Sequence, residues 1–215
     1  MFSYIWKACG TKGREDNTKL TVMDTDRKWV IVRIDGKIAA ISTDYVALVI
    51  IAARLAQQKS PVYEKITAET VKFAEVWNIR KTALWDDFIL FGTEFQKKVW
   101  KRLFDLTHEE DGSPKPPRLI SYSDFADLCQ NKAGVRAVAH AIGLNPIAVA
   151  IPCHLVIPKE SIDYIKGIKE KAQSTIFKGD DISMEKLLQE KGIDFGEYAL
   201  GRKLKRALIQ KELSQ

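Results

Sequence analysis

Cysteine and histidine are scarce in this 215-residue chain, and the scarcity narrows what it can be. The three cysteines, Cys9, Cys129 and Cys153, form no Cys-x-x-Cys pair, and the three histidines are scattered at His108, His140 and His154. A disulfide framework needs a dense, even set and a zinc site needs ligands at short fixed spacings, so neither is expected. Long apolar runs are missing as well. The opening MFSYIWKACG is too short and too polar for a spanning helix, and it lacks the extended apolar core of a secretory signal. The expectation is therefore an intracellular protein, of the cytoplasm, nucleoid or nucleus, with no membrane partner.

With 46% hydrophobic residues the chain can bury a real core, and its length suits one large domain or two small ones. Two are expected, residues 1–90 and 91–215. The net charge of +6 is compatible with a polyanionic partner without requiring one.

Residues 19–42 read as strands: KLTVM, then WVIVRI and KIAAIS on either side of Asp35-Gly36, a pair that favours a tight hairpin. From Tyr45 the run YVALVIIAARLAQQ is long enough for a buried helix, and a second amphipathic stretch follows at about residues 68–76. At Gly92 the pattern changes. Thr93 can cap a helix whose apolar residues Phe95, Val99, Trp100, Leu103 and Phe104 share one face. The following THEEDGSPKPPRL, with three prolines and Gly112, reads as an exposed loop.

Ser121 then caps a short helix with Phe125 and Leu128 on its buried side, and NKAG leads into a second helix, VRAVAHAIG. Helices joined this tightly suggest a helix-turn-helix that lays its second helix along DNA, although short helix pairs also occur in proteins that bind none. Asn145-Pro146 makes a turn, IAVAI reads as a short buried strand, and the chain arrives at Pro152-Cys153-His154. Helices are expected at residues 164–173, 183–191 and 201–213, the last of them basic.

A thiol becomes a strong nucleophile only on losing its proton, which needs an imidazole, a cation or helix-end amides nearby. Cys153 has His154 next to it, but neighbours on an extended strand point opposite ways, and a turn is needed for His154 to act, through a water. A buried structural cysteine beside a surface histidine is the other reading of the same pair.

The stretch NPIAVAIPCHLV resembles the active-site segment of the O6-alkylguanine-DNA alkyltransferases, or methylated-DNA–protein-cysteine methyltransferases, in which an Asn-Pro turn leads to Pro-Cys-His-Arg-Val. GTEFQKKVWKRL is similar to the family's Gly-Thr-x-Phe-Gln-x-x-Val-Trp-x-x-Leu helix, ISYSDFADL to its Ser-Tyr helix, GVRAVAHAIGLNP to its recognition helix and YALGRKLKRALIQKE to its closing segment. Together these cover residues 91–158 and 196–213. The resemblance implies an α/β protein: a small N-terminal α/β domain with antiparallel strands, then a mainly helical, winged helix-turn-helix-like domain carrying an insertion at about residues 159–195.

The resemblance also implies DNA repair by single-use transfer of an alkyl (methyl) group from O6-alkylguanine to Cys153. The partner is double-stranded DNA with its damaged base flipped out, the protein acts as a monomer, and no cofactor or metal is needed. Carried over residue by residue, His154 and Glu212 ionise Cys153 through a water, Asn145 braces the turn, and Tyr122 presses on the target phosphate or protonates the leaving guanine. Arg136 replaces the extruded base in the stack, with Ser121, Tyr122 and Ala137 along the DNA face. Tyr198, the Val156 backbone and Ala199 line the base pocket.

Read without the resemblance, Arg136 is a solvated helix arginine and Tyr122 a half-buried core residue. Leu155 stands where the family has an arginine, and Ala199 where relatives often carry a serine. Within the insertion, Tyr164, Gly167, Ile168 and Lys171 partly echo the closing segment, but only the later stretch reaches a glutamate. The alternatives are a non-catalytic sensor of alkylated DNA of the alkyltransferase-like type and a winged-helix binder whose cysteine is structural.

Overall fold

The computed structural model describes residues 27–43, 46–55, 63, 65–174 and 193–213. Its first elements are a hairpin of β1 (Trp29–Ile34) and β2 (Lys37–Thr43), paired from Trp29 with Thr43 to Ile34 with Lys37. Asp35 (φ 49°) and Gly36 (φ 84°) both turn left-handed, as a two-residue hairpin connection requires. The expected strand at KLTVM and the expected helix at residues 183–191 lie outside the described residues.

The run WVIVRI is apolar almost throughout because both faces of β1 are covered. Val30, Val32 and Ile34 pack with Ala39, Ala40, Phe91 and Ile51 of α1 (Val46–Leu55). Trp29 and Ile31 face the other way, into a larger cluster with Trp100, Phe125, Val138 and Leu204. One apolar core thus joins the sheet to the helices that follow it.

The stretch at residues 68–76 proves to be two elements rather than one. Ile66–Val71 is β3, antiparallel to β1 and giving the sheet order β2-β1-β3, and α2 (Phe73–Thr82) begins after the extended Lys72. Every residue of β3 is at least partly exposed, so burial leaves no period in its sequence. Its β-branched residues and its ladder with β1 make it a strand.

Thr93 caps α3 (Glu94–Phe104): its hydroxyl accepts from the Gln96 amide at 3.2 Å while the Gln96 side chain accepts from the Thr93 amide at 3.0 Å. Such reciprocal caps contribute about 1 kcal/mol. Val99, Trp100, Leu103 and Phe104 are buried as expected, but Phe95 at 37% exposure sits off the stripe. Gly92 is dictated by contact, since a Cβ there would lie 2.8 Å from the Trp100 ring. The Trp100 indole N–H donates to the Ala141 carbonyl at 2.8 Å, tying α3 to α5 (Val135–Gly143).

The loop after α3 is exposed only in part. Thr107 and His108 are buried, and the His108 ring stacks on Phe104 with centroids 3.8 Å apart, so the chain leaves the core only at Glu109. β4 (Ile120–Ser121) pairs in parallel with β5 (Val156–Ile157) and runs straight into α4 (Tyr122–Leu128). Phe125 and Ala126 form the buried side of α4, whereas Leu128 is 45% exposed, because the helix ends there and the chain reverses at Gln130 (φ 56°).

Downstream, α6 (Lys159–Ser174) starts earlier than expected and carries the beginning of the insertion. Its Ile162 and Ile165 pack with Ile193, Phe195 and Ile209 of α7 (Arg202–Leu213) in a small core of their own. Among the described residues no helix is long and apolar enough to cross a membrane.

Candidate active site

IAVAI is buried as expected but is not a strand. It is wound into tight turns, held from within by Asn145. The Asn145 side-chain carbonyl accepts from the Ile147 amide at 3.0 Å, and its amide donates to the carbonyls of Ile147 and Ile151 at 3.3 and 2.8 Å. At its centre the Ala150 amide donates to the Ala148 carbonyl at 2.9 Å around Val149 (φ 70°). This is a positive-φ γ-turn, rare for any residue and costly for a β-branched one. A strand would have left these carbonyls unpaired in the core; the asparagine supplies their donor.

The turns end in a single 3₁₀ turn, Cys153–Leu155. With three residues per turn, consecutive side chains diverge by about a third of a circle, so Cys153 and His154 serve different surroundings. The Asn145 amide donates to the Cys153 sulfur at 3.2 Å. Burial pushes the thiol up, against the Asn145 hydrogen bond and the nearby Lys205 charge, which pull it down. The sulfur is nevertheless not sealed in hydrocarbon: Cys153 keeps 9% exposure and has an amide donor, a cation and a phenol about it.

Behind it, His154 is fully buried and its Nε2 lies 3.1 Å from Oε1 of the buried Glu212 on α7. A carboxylate there selects the tautomer with the proton on Nε2, leaving Nδ1 as the basic atom. Nδ1 makes no hydrogen bond with the described residues. Burial holds His154 below its usual range, so the ring is neutral and able to accept a proton. Glu212 is held below the usual carboxylate range against its burial, by His154 and by Arg80.

Lys205, also on α7 and 1% exposed, donates to the Val156 carbonyl at 2.8 Å and lies 5.8 Å from the centre of the Tyr122 ring. Burial brings it down to about 8, with the Cys153 charge opposing. The Tyr198 hydroxyl is buried close enough to feel Cys153, yet makes no hydrogen bond of acceptable geometry with the described residues. Burial raises both Tyr122 and Tyr198, so each keeps its proton at neutral pH.

The expected site residues therefore fall in two groups. Cys153, His154, Glu212, Asn145, Tyr198 and Val156 come together, with Tyr122 half-buried at their edge. Arg136 and Ala137 are exposed on the outer face of α5. Ser121, expected on the DNA face, is buried, and its hydroxyl is spent accepting from the Asp124 amide at 3.0 Å. Ala199 is exposed in the turn before α7, and Leu155 is fully buried. Tyr164, the rival to Tyr198, is 45% exposed on α6, whereas the later stretch reaches His154.

Two residues of the cluster had been given no role. Lys205 lies in the closing segment, where the resemblance assigns it no role. Arg80 lies outside every motif, yet it completes the buried stripe Phe73, Val76, Trp77 of α2 at i, i+3, i+4 and i+7, and an arginine on such a stripe calls for a buried partner. That partner is Glu212. Among the described residues no group of histidine, cysteine and acidic side chains could hold a metal ion.

Residues 94–176 match the family described as 6-O-methylguanine DNA methyltransferase, DNA binding domain. A probable methylated-DNA–protein-cysteine methyltransferase of Acanthamoeba polyphaga mimivirus is 41% identical over 86 residues, 40% of this chain and 52% of that protein. The inducible methylated-DNA–protein-cysteine methyltransferase of Bacillus subtilis (strain 168) is 44% identical over 68 residues, 32% of this chain and 34% of its own length. The matched stretches thus span about half or less of these relatives. The crystal structure of O6-methylguanine-DNA methyltransferase from the archaeon Pyrococcus kodakaraensis strain KOD1 shares the fold, with a TM-score of 0.51 at 19% identity over 94% of this chain and 96% of that one. Over residues 94–176 the chain is thus similar to the DNA-binding domain of the 6-O-methylguanine DNA methyltransferases.

Proposed function

We propose that this chain repairs alkylated guanine in double-stranded DNA by moving the alkyl group from the base O6 to the Cys153 sulfur. The observation that carries this reading is a thiol holding an amide donor at 3.2 Å on the residue next to a buried imidazole–carboxylate pair. The similar methylated-DNA–protein-cysteine methyltransferases of mimivirus and Bacillus subtilis support it.

In the proposed reaction the thiol proton passes through a water to Nδ1 of His154, and the thiolate attacks the alkyl carbon. The S–C bond forms as the C–O6 bond breaks, and the departing guanine anion takes a proton from Tyr122, which still has one to give. Lys205 and the Asn145 amide stabilise the thiolate. The product is a thioether that no residue here can reverse, so each molecule acts once.

The α4–α5 pair is the proposed DNA reader, with Arg136 filling the gap left by the flipped base. This work is done inside the cell, wherever DNA is. A division near residue 90 is proposed as the domain boundary, although one apolar core crosses it.

The test is to incubate the protein with a duplex containing O6-methylguanine, digest it and weigh the peptides. One added methyl on the Cys153 peptide is the expected result. Lesion-selective binding without mass gain would favour a damage sensor, and no preference for the lesion a plain DNA binder. Arg136→Ala is expected to slow repair of duplex DNA about tenfold or more, since base extrusion costs a few kcal/mol, while reaction with free O6-benzylguanine is unchanged. Equal losses on both substrates would remove the stacking role.

A further inference from the structure

We propose that Arg80, on α2 and remote in sequence from the cysteine, is a positioning residue for the proton acceptor. It clamps both oxygens of Glu212, fixing that carboxylate against His154 and keeping the pair from holding a proton at rest. The inference rests on the thiol-transfer reading above.

The geometry is bidentate. Nε of Arg80 donates to Oε1 of Glu212 at 3.0 Å and Nη2 donates to Oε2 at 3.2 Å, with the two side chains 5% and 2% exposed. Oε1 is also the atom facing Nε2 of His154. The guanidinium thus fixes the plane of the carboxylate, and the carboxylate fixes the plane and tautomer of the ring. Position 155, where the resemblance leads one to expect a cation, is a fully buried leucine. Among the described residues Arg80 is the one buried arginine.

The charge matters as much as the fork. A buried carboxylate alone beside an imidazole would favour the imidazolium, which cannot accept the thiol proton. Arg80 offsets this, pulling down the proton affinity of both His154 and Glu212. The other titratable groups acting on the cluster are Lys205 of α7, which also lowers His154, and His108, itself lowered by burial and sensing Arg80, Asp105 and Glu212. None of these replaces a guanidinium on both oxygens of Glu212.

The test follows methyl transfer to Cys153 and reaction with free O6-benzylguanine as functions of pH in the full chain, for wild type, Arg80→Lys and Arg80→Gln. Arg80→Lys is expected to keep the position of the acid limb. Arg80→Gln is expected to move it up by about one pH unit or more, the usual effect of removing one close charge, costing about tenfold on the acid side of the wild-type limb and recovering at alkaline pH. A residue that merely fills space would lower the rate equally at all pH values, and that result, or an unmoved limb in Arg80→Gln, would overturn the proposal.

A second measurement needs no variant to fold. In ¹⁵N NMR of the wild type, His154 should be neutral at pH 7 with its proton on Nε2; an imidazolium there overturns the proposal. If wild type transfers no methyl to Cys153, the functional reading fails first. If it transfers and the variants behave alike, only the role of Arg80 falls.

Discussion

Cys153→Ser is expected to leave the melting temperature within a few degrees of wild type while abolishing transfer, with no methyl detected on residue 153 after prolonged incubation with O6-methylguanine duplex. The substitution is nearly isosteric, and a hydroxyl can accept from the Asn145 amide as the sulfur does. Chemistry separates the two. Burial already raises the thiol, and Asn145 and Lys205 only partly offset it, so the site has enough stabilisation to ionise a thiol late and none to ionise an alcohol. Lesion binding should survive, which makes this variant the form to trap on DNA. A serine protein that still gained a methyl at residue 153 would place the acceptor chemistry on other grounds than thiolate formation.

Glu212→Ala should be the most damaging single change to stability. It strands Arg80 in the core without its carboxylate, and breaking a buried pair from one side costs about 3–5 kcal/mol. Glu212→Gln, which keeps the volume and one acceptor, should cost less. The pH dependence has a definite sign. Glu212 is held below its ordinary range, so its contribution is complete above that range and is lost as pH falls through the lowered value. His154, also held down, works in the same direction: its neutral buried form is favoured above its ordinary range and becomes a liability as pH falls. Urea melts at pH 7 and near pH 4 should show wild type losing more stability on acidification than Glu212→Gln. Equal losses would mean that the carboxylate contributes nothing through its charge.

Much of this site could be read along the chain because its parts announce themselves locally. Thr93 with Gln96, Ser121 with Asp124 and Asp35-Gly36 each fix their own turn or cap, and the structure has all three. The order of motifs brought His154 and Glu212 together although 58 residues separate them. Missing were features set by tertiary contact. The shape of IAVAI is imposed by one asparagine bonding residues up to six positions away, which no apolar pattern encodes. β3 is a strand because β1 lies beside it. His108 is drawn out of a loop of prolines and charges by the face of Phe104. Arg80 was legible only as an oddity, a cation on an apolar stripe, and its partner lies 132 residues further on.

The left-handed bend at Val149 has a consequence for anyone who would reduce this protein to its reactive segment. A peptide copied from residues 145–155 would keep Asn145 but lose the core that buries Ile147 to Ile151, and with its hydrogen bonds open to water it would relax rather than hold a valine at φ 70°. Its sulfur would then behave like that of any dissolved cysteine. The scaffold that sets this loop also sets the chemistry of the atom it carries, so reactivity here is a property of the assembled molecule, not of the letters Pro-Cys-His.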